Sequence, residues 1–338
     1  MRLAPLANEQ PWPAVALLYK RRPMHPKTVI ARVCLFALVA YVTGLPVTAQ
    51  ATDRALLIGV SDYPALPKRL WLRGPGNDVA LMRGLLLDKG FAASDIHTLT
   101  SRVAPEPTRA NILREMQALR ASIQPGDRVM FYLAGHGAQQ PQPAQHGARP
   151  TEADGLDEVF LPADAARWDG QGDRAAVPNA LLDDEIGEWM DALVDAGATV
   201  WGVFDTCHAG GMARGGEAAA TTRWRSVSAG ELGLPALRAS AVSALTSLPR
   251  LQQGRTDGRS LAFAARSHEL AGEEWLPRGV AMGQTKVHGV FTYHLVAALR
   301  QPADALAGLP SAMAMQYRVE RRAAPTPQFK GAANLRWP

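Results

Sequence analysis

DRVMFYLAGHGAQ (Asp127–Gln139) and ATVWGVFDTCHAGG (Ala198–Gly211) are the two stretches on which the fold turns. Each is a nearly uniform apolar run of strand length that breaks off at a glycine-bounded turn, and each turn carries a reactive side chain: His136 in the first, Cys207 in the second. Apolar runs without alternation read as strands covered on both faces, which is the pattern of a parallel sheet. The same alternation of short β-like runs and longer amphipathic segments extends outward. RALLIGV (Arg54–Val60) reads as a strand, and DVALMRGLLLDKG (Asp78–Gly90) as a helix ending in a glycine C-cap. IHTLT (Ile96–Thr100) is a second strand. Thr108 caps a helix whose Ile112, Met116, Leu119 and Ile123 share one face. VFLPAD (Val159–Asp164) and a helix from Leu182 to Ala196 follow, so the fold class is α/β with a mostly parallel central sheet flanked by helices. Gln139–Pro150, rich in Pro and Gln, reads as a loop, and Met212–Gly258, rich in Gly, Ala, Ser, Thr and Arg, as a mobile linker. SLAFAARS (Ser260–Ser267) resumes as a strand, GVFTYHLVAALR (Gly289–Arg300) as a strand end entering a helix, and Pro310–Arg322 as a last helix.

Composition narrows the function. With 47% hydrophobic and 20% charged residues in 338, the chain can bury a full core and is not a disordered polymer. The formal charge of +5 is confined to the first 50 residues, which hold Arg2, Lys20, Arg21, Arg22, Lys27 and Arg32 against Glu9 alone. The remainder is neutral, so there is no electrostatic case for a nucleic-acid partner. The leader itself has an order: basic residues, then the apolar VCLFALVAYVTGL (Val33–Leu45), then VTAQA ending at Ala51. Its uninterrupted core is too short to span a bilayer and suits a secretory signal peptide, with residues 1–23 preceding an alternative start at Met24. Residues 1–51 are therefore expected to be a leader, the protein to be exported, and the mature chain to have no membrane span. An uncleaved N-terminal anchor is the alternative. Export would remove Cys34 and leave Cys207 as a lone thiol, which cannot form an internal disulfide.

In open parallel sheets, reactive groups gather at the C-terminal ends of strands. His136 and Cys207 both fall there. An imidazole that removes the thiol proton makes the sulfur a strong nucleophile, and the neighbouring glycines free backbone N–H groups for an oxyanion. Cys207, His136 and His208 lack the spacing of a zinc site.

YLAGHGAQ and FDTCHAGG resemble the YSGHG and DxCHSG blocks of metacaspases, within the caspase-like C14 cysteine peptidases. RALLIGVSDY, RGPGNDVALM, DGLDEVFLPAD, SLAFAARSHELAGE, GVFTYHLVAAL and PTPQF are similar to further segments of that family. The resemblance implies a caspase-like three-layer sandwich, with residues 52–211 as a large-subunit part and 259–338 as a small-subunit part either side of the 212–258 linker. It implies Cys207 as nucleophile, His136 as general base, and the amides of Gly137 and Cys207 as the oxyanion hole. Asp78 and Asp205 match the acidic S1 pocket that takes Arg or Lys at P1, so the partners would be protein or peptide substrates with a basic P1 residue. Pro75 and Ala134 stand where the family often has Cys and Ser. Asp157, Asp183 and Asp184 match three of the aspartates used for calcium, an activator that catalysis itself would not require; the fourth position is Arg214, a cation where a cation would bind. Arg214, Arg223, Arg225, Arg238, Arg250 and Arg255 in the linker, with Arg259 just beyond it, make self-cleavage an expectation. The rival reading is a catalytically idle caspase-like scaffold.

Overall fold

A computed structural model describes residues 51–142, 155–172, 175–207, 222–236, 257–266, 269–301, 308–322 and 325–331. The leader before Ala51, His208 and Arg214 lie outside the described residues.

The first strand, β1 (Asp53–Gly59), lies between β2 (Ile96–Thr100) and β3 (Arg128–Ala134); β7 (Thr199–Asp205), β9 (Arg259–Phe263) and β12 (Gln328–Gly331) complete the main sheet. The order is β12-β9-β7-β3-β1-β2, parallel throughout except for the antiparallel pairing of β12 with β9. Side chains alternate between the two faces, as the pleat requires. On one face Leu56, Ile58, Phe131, Leu133 and Phe204 meet α2 (Arg109–Ser122) and α3 (Asp183–Asp195). On the other, Leu57, Met130, Tyr132 and Val203 meet α1 (Pro75–Asp88), α4 (Val290–Leu299) and α5 (Leu309–Val319). Both faces are apolar because both are covered, and each fully buried side chain of this size contributes about 1.5–3 kcal/mol. These are the three layers expected from the sequence.

Two smaller antiparallel sheets stand at the C-terminal edge of the main one. One runs β4 (Gly137–Pro141), β5 (Leu156–Phe160), β6 (Leu181–Leu182); the other β11 (Lys286–Gly289), β10 (Gly272–Leu276), β8 (Arg223–Trp224). Two local expectations change. Gln139–Pro141, read as the start of a loop, continues β4, because its partner on β5 supplies the ladder. Residues 222–236, read as part of a mobile linker, are ordered, and their backbone is held by β10 and Gly137.

Candidate active site

Adjacent parallel strands β3 and β7 run in register to their tips, with Ala134 beside Asp205. His136 and Cys207 therefore leave the sheet side by side. The turn between them is tight: a Cβ on Gly137 would fall inside the Cys207 backbone, so only glycine fits. Tyr63 fixes the other side, its hydroxyl accepting from the His136 amide at 2.8 Å while its ring lies 5.0 Å from the imidazole.

His136 Nε2 lies 2.6 Å from the Leu70 carbonyl, which can only accept, so that nitrogen carries the proton. Nδ1 is left with its lone pair and makes no hydrogen bond among the described residues. Burial pushes the imidazole pKa down to about 4, against smaller opposing contributions from the Leu70 and Arg225 carbonyls. Burial likewise pushes the Cys207 thiol up to about 12, although the Ala271 amide donates to Sγ at 2.9 Å. Burial thus favours the neutral form of both groups in this closed arrangement.

Asp78 and Asp205 face one another across a pocket filled by the guanidinium of Arg225. Arg225 Nη2 lies 2.5 Å from Asp78 and Nη1 3.0 Å from Asp205, all three side chains fully buried. Glu273 on β10 forms a third wall at 3.8 Å. Burial disfavours the charge on the guanidinium, but Asp205, Asp78 and Glu273 more than offset this, so its pKa is raised above the ordinary value. Burial raises the Asp205 carboxyl, with Arg225 pulling it down and Asp78 pushing it up. Each acid is aimed from behind. Asp78, in the first turn of α1, accepts from the Gly289 amide and pairs with His288 Nδ1 at 2.9 Å. Asp205 accepts from the Thr292 amide at 3.1 Å and hydroxyl at 2.5 Å. Glu273 accepts from the amides of Arg73 and Gly74, both at 2.8 Å. Pro75 sits at the start of α1, where a missing N–H costs nothing.

The Arg225 backbone is held as well. Its amide donates to the Ala271 carbonyl at 2.9 Å, and its carbonyl accepts from Gly137 at 3.0 Å and Cys207 at 3.3 Å. Those are the two amides matched to an oxyanion hole. Upstream, Arg223 and Trp224 pair antiparallel with Glu273 and Gly272. Arg223 donates to the Trp71 carbonyl at 2.7 Å. Residues 223–225 thus lie across the cleft as an extended strand, with an arginine in the acidic pocket.

Glu273, His288, Thr292 and Arg225 were not singled out for the pocket from the sequence. Glu273 and Thr292 lie within segments similar to the family, but their spacing from Asp78 and Asp205 carries no motif. Asp157 and the pair Asp183–Asp184 come to one end of the small sheet, where Val159 faces Leu182. Among the described residues, no group of three or more His, Cys, Asp or Glu is arranged to hold a metal ion. Asp157, Asp183 and Asp184 therefore do not cluster as calcium ligands among the described residues.

Fold and site define the class: an α/β domain with a mostly parallel sheet and with Cys and His at adjacent strand tips. Residues 53–214 match the metacaspase, peptidase C14 domain. It is 34% identical over 163 residues to Metacaspase-1 of Lodderomyces elongisporus, covering 47% of this chain and 33% of the relative. It is 33% identical over 168 residues to Metacaspase-1 of Schizosaccharomyces pombe, covering 48% and 35%. The chain thus spans about a third of the length of these curated relatives. Its fold is similar to a crystal structure of protein GSU0716 from Geobacter sulfurreducens, with a TM-score of 0.52 and 20% identity over 83% of this chain and 93% of that one. No helix among the described residues is long and apolar enough to cross a membrane.

Proposed function

We propose that the protein is an exported cysteine endopeptidase that cleaves after Arg or Lys, and that its own Arg225–Ser226 bond is a substrate. The observation that carries the reading is Arg225: side chain between Asp78 and Asp205, carbonyl against the amides of Gly137 and Cys207. A buried arginine needs its carboxylates, and this one has them at a pocket beside a thiol and an imidazole.

In this reading His136 Nδ1 takes the Cys207 proton as Sγ attacks the P1 carbonyl carbon. The oxygen, now negative, is held by the Gly137 and Cys207 amides. The C–N bond breaks as His136 returns the proton to the leaving amine, giving a thioester. Water, deprotonated by His136, then attacks the thioester carbon; the C–S bond breaks and the thiol is regenerated. Arginine is favoured over lysine because its fork reaches Asp78 and Asp205 together, whereas an ammonium is a single point.

The test is incubation of the purified protein followed by intact-mass measurement. Fragments ending at Arg225 and starting at Ser226 are expected, remaining whole in Cys207→Ala. Fragments made equally by Cys207→Ala, or an Arg-P1 peptide left uncut by the wild type, would overturn the reading. Export is tested separately, by N-terminal sequencing of the protein from fractionated cells.

A further inference from the structure

The chain that leaves the pocket is held as firmly as the chain that enters it. Gly137 donates to the Arg225 carbonyl and, through its own carbonyl, accepts from the Val227 amide at 3.2 Å, forming a parallel bridge centred on Ser226. Val227 is completely buried in the apolar cluster that also holds Leu232 and Leu234. Beyond it the backbone closes a turn, Leu232 N to Ser228 O at 3.2 Å and Leu234 N to Ala229 O at 2.9 Å, and Trp168 N donates to the Leu232 carbonyl at 2.8 Å.

Resting on the peptidase reading above, we propose that this groove is the primed-side substrate site, and that it selects an aliphatic residue with a free N–H two positions after the cut. The argument has two parts. Gly137 has one amide and one carbonyl to offer; the amide serves the P1 oxygen, so the carbonyl must be met by the N–H at P2′. Proline there has none to give. The Val227 side chain is sealed from water, so a charged residue in its place would lose its hydration with no partner supplied, and glycine would forfeit the apolar burial. P1′ is less constrained, because Ser226 is only partly buried. Substrate binding on this side is therefore strand addition, in which backbone bonds supply affinity and one side chain supplies choice.

The experiment uses internally quenched peptides of constant Trp-Arg-Ser core, varied at P2′ among Val, Leu, Gly, Asp and Pro. Alongside runs a reporter ending in Arg-amide fluorophore, which has no primed residues. Val and Leu are expected to exceed Gly in kcat/KM by about 10-fold or more, and Asp by about 100-fold, within the range a buried apolar contact can discriminate; Pro is expected to be refused. A flat series with the reporter cleaved overturns this proposal alone, whereas failure to cleave the reporter and every peptide overturns the peptidase reading. Self-cleavage gives a second readout on the full chain: Val227→Leu should cut at Arg225–Ser226 at nearly the wild-type rate and Val227→Pro should not, while equal cutting by both would refute the role of the amide.

Discussion

Replacing Arg225 by alanine distinguishes a ligand held in a cleft from a piece of core. The guanidinium makes charge-assisted contacts with Asp78 and Asp205 at 2.5 and 3.0 Å. At about 1.5–3 kcal/mol each, their loss amounts to ~3–6 kcal/mol, which moves the docked-to-undocked ratio of residues 223–225 by about 10²–10⁴. The apparent affinity of any external ligand is scaled by the fraction of molecules with an open pocket. An Arg-P1 peptide should therefore bind Cys207→Ala/Arg225→Ala at least ~10-fold more tightly than Cys207→Ala, where no cleavage confuses the measurement. Fluorescence anisotropy of a labelled peptide reads this directly, and circular dichroism checks the fold. If residues 223–225 lift out, the three carboxylates are hydrated and the melting temperature changes little. If they are core, the acids stay buried without a counter-charge, at a cost of about 3–5 kcal/mol. A large fall in melting temperature with unchanged peptide affinity would refute the reasoning.

Other expectations follow from the same geometry. If Cys207 and His136 act as the proposed pair, Cys207→Ala and His136→Ala should each lower Arg-peptide hydrolysis by at least about 10³ with unaltered circular dichroism; activity within tenfold of wild type in either would sink the pair. Thr292→Val removes the hydroxyl that donates to Asp205 and should raise KM for Arg-P1 peptides by ~10-fold while sparing kcat; an unchanged KM would show that Asp205 needs no such support. The His136 imidazole has its pKa lowered from 6.5 to about 4 in the fold, so below pH 6.5 the unfolded chain takes up a proton that the folded one refuses. Stability should thus fall as pH drops from about 6.5 to about 4, by ~3 kcal/mol over the window, and His136→Gln should flatten that slope in thermal melts; parallel slopes in both proteins would refute the assignment. Chelation with EGTA should leave the Arg-peptide rate within about twofold, and a loss restored by added calcium would show that Asp157, Asp183 and Asp184 gain ligands from elsewhere.

The main sheet was legible because its strands are covered on both sides, and a run such as VMFYLA has one economical explanation. The positions of His136 and Cys207 followed from where those runs end. What escaped was structure made by partners distant in sequence. Arg225 stood as one linker arginine among several, and nothing local marks it for burial; three carboxylates from α1, β7 and β10 do that together. β8 is two residues long and carries no period, so its pairing with Gly272 is set by backbone bonds to β10 and by the room above a missing Cβ, where Trp224 packs. Glu273 is one of two adjacent glutamates in β10, and its purpose appears only once the amides of Arg73 and Gly74 close upon it.

A cut after Arg225 would divide the main sheet between two polypeptides. Through β3 and β7 the first piece would carry His136 and Cys207; the second would carry β9, which pairs with β7 from Val200 to Phe204, Ala271, and β10 with Glu273. Neither piece would then hold a finished pocket. The nicked molecule becomes an obligate heterodimer whose assembly follows mass action, so its unfolding midpoint should rise with protein concentration while that of the intact chain does not. Dilution, harmless before the cut, becomes a way to switch it off.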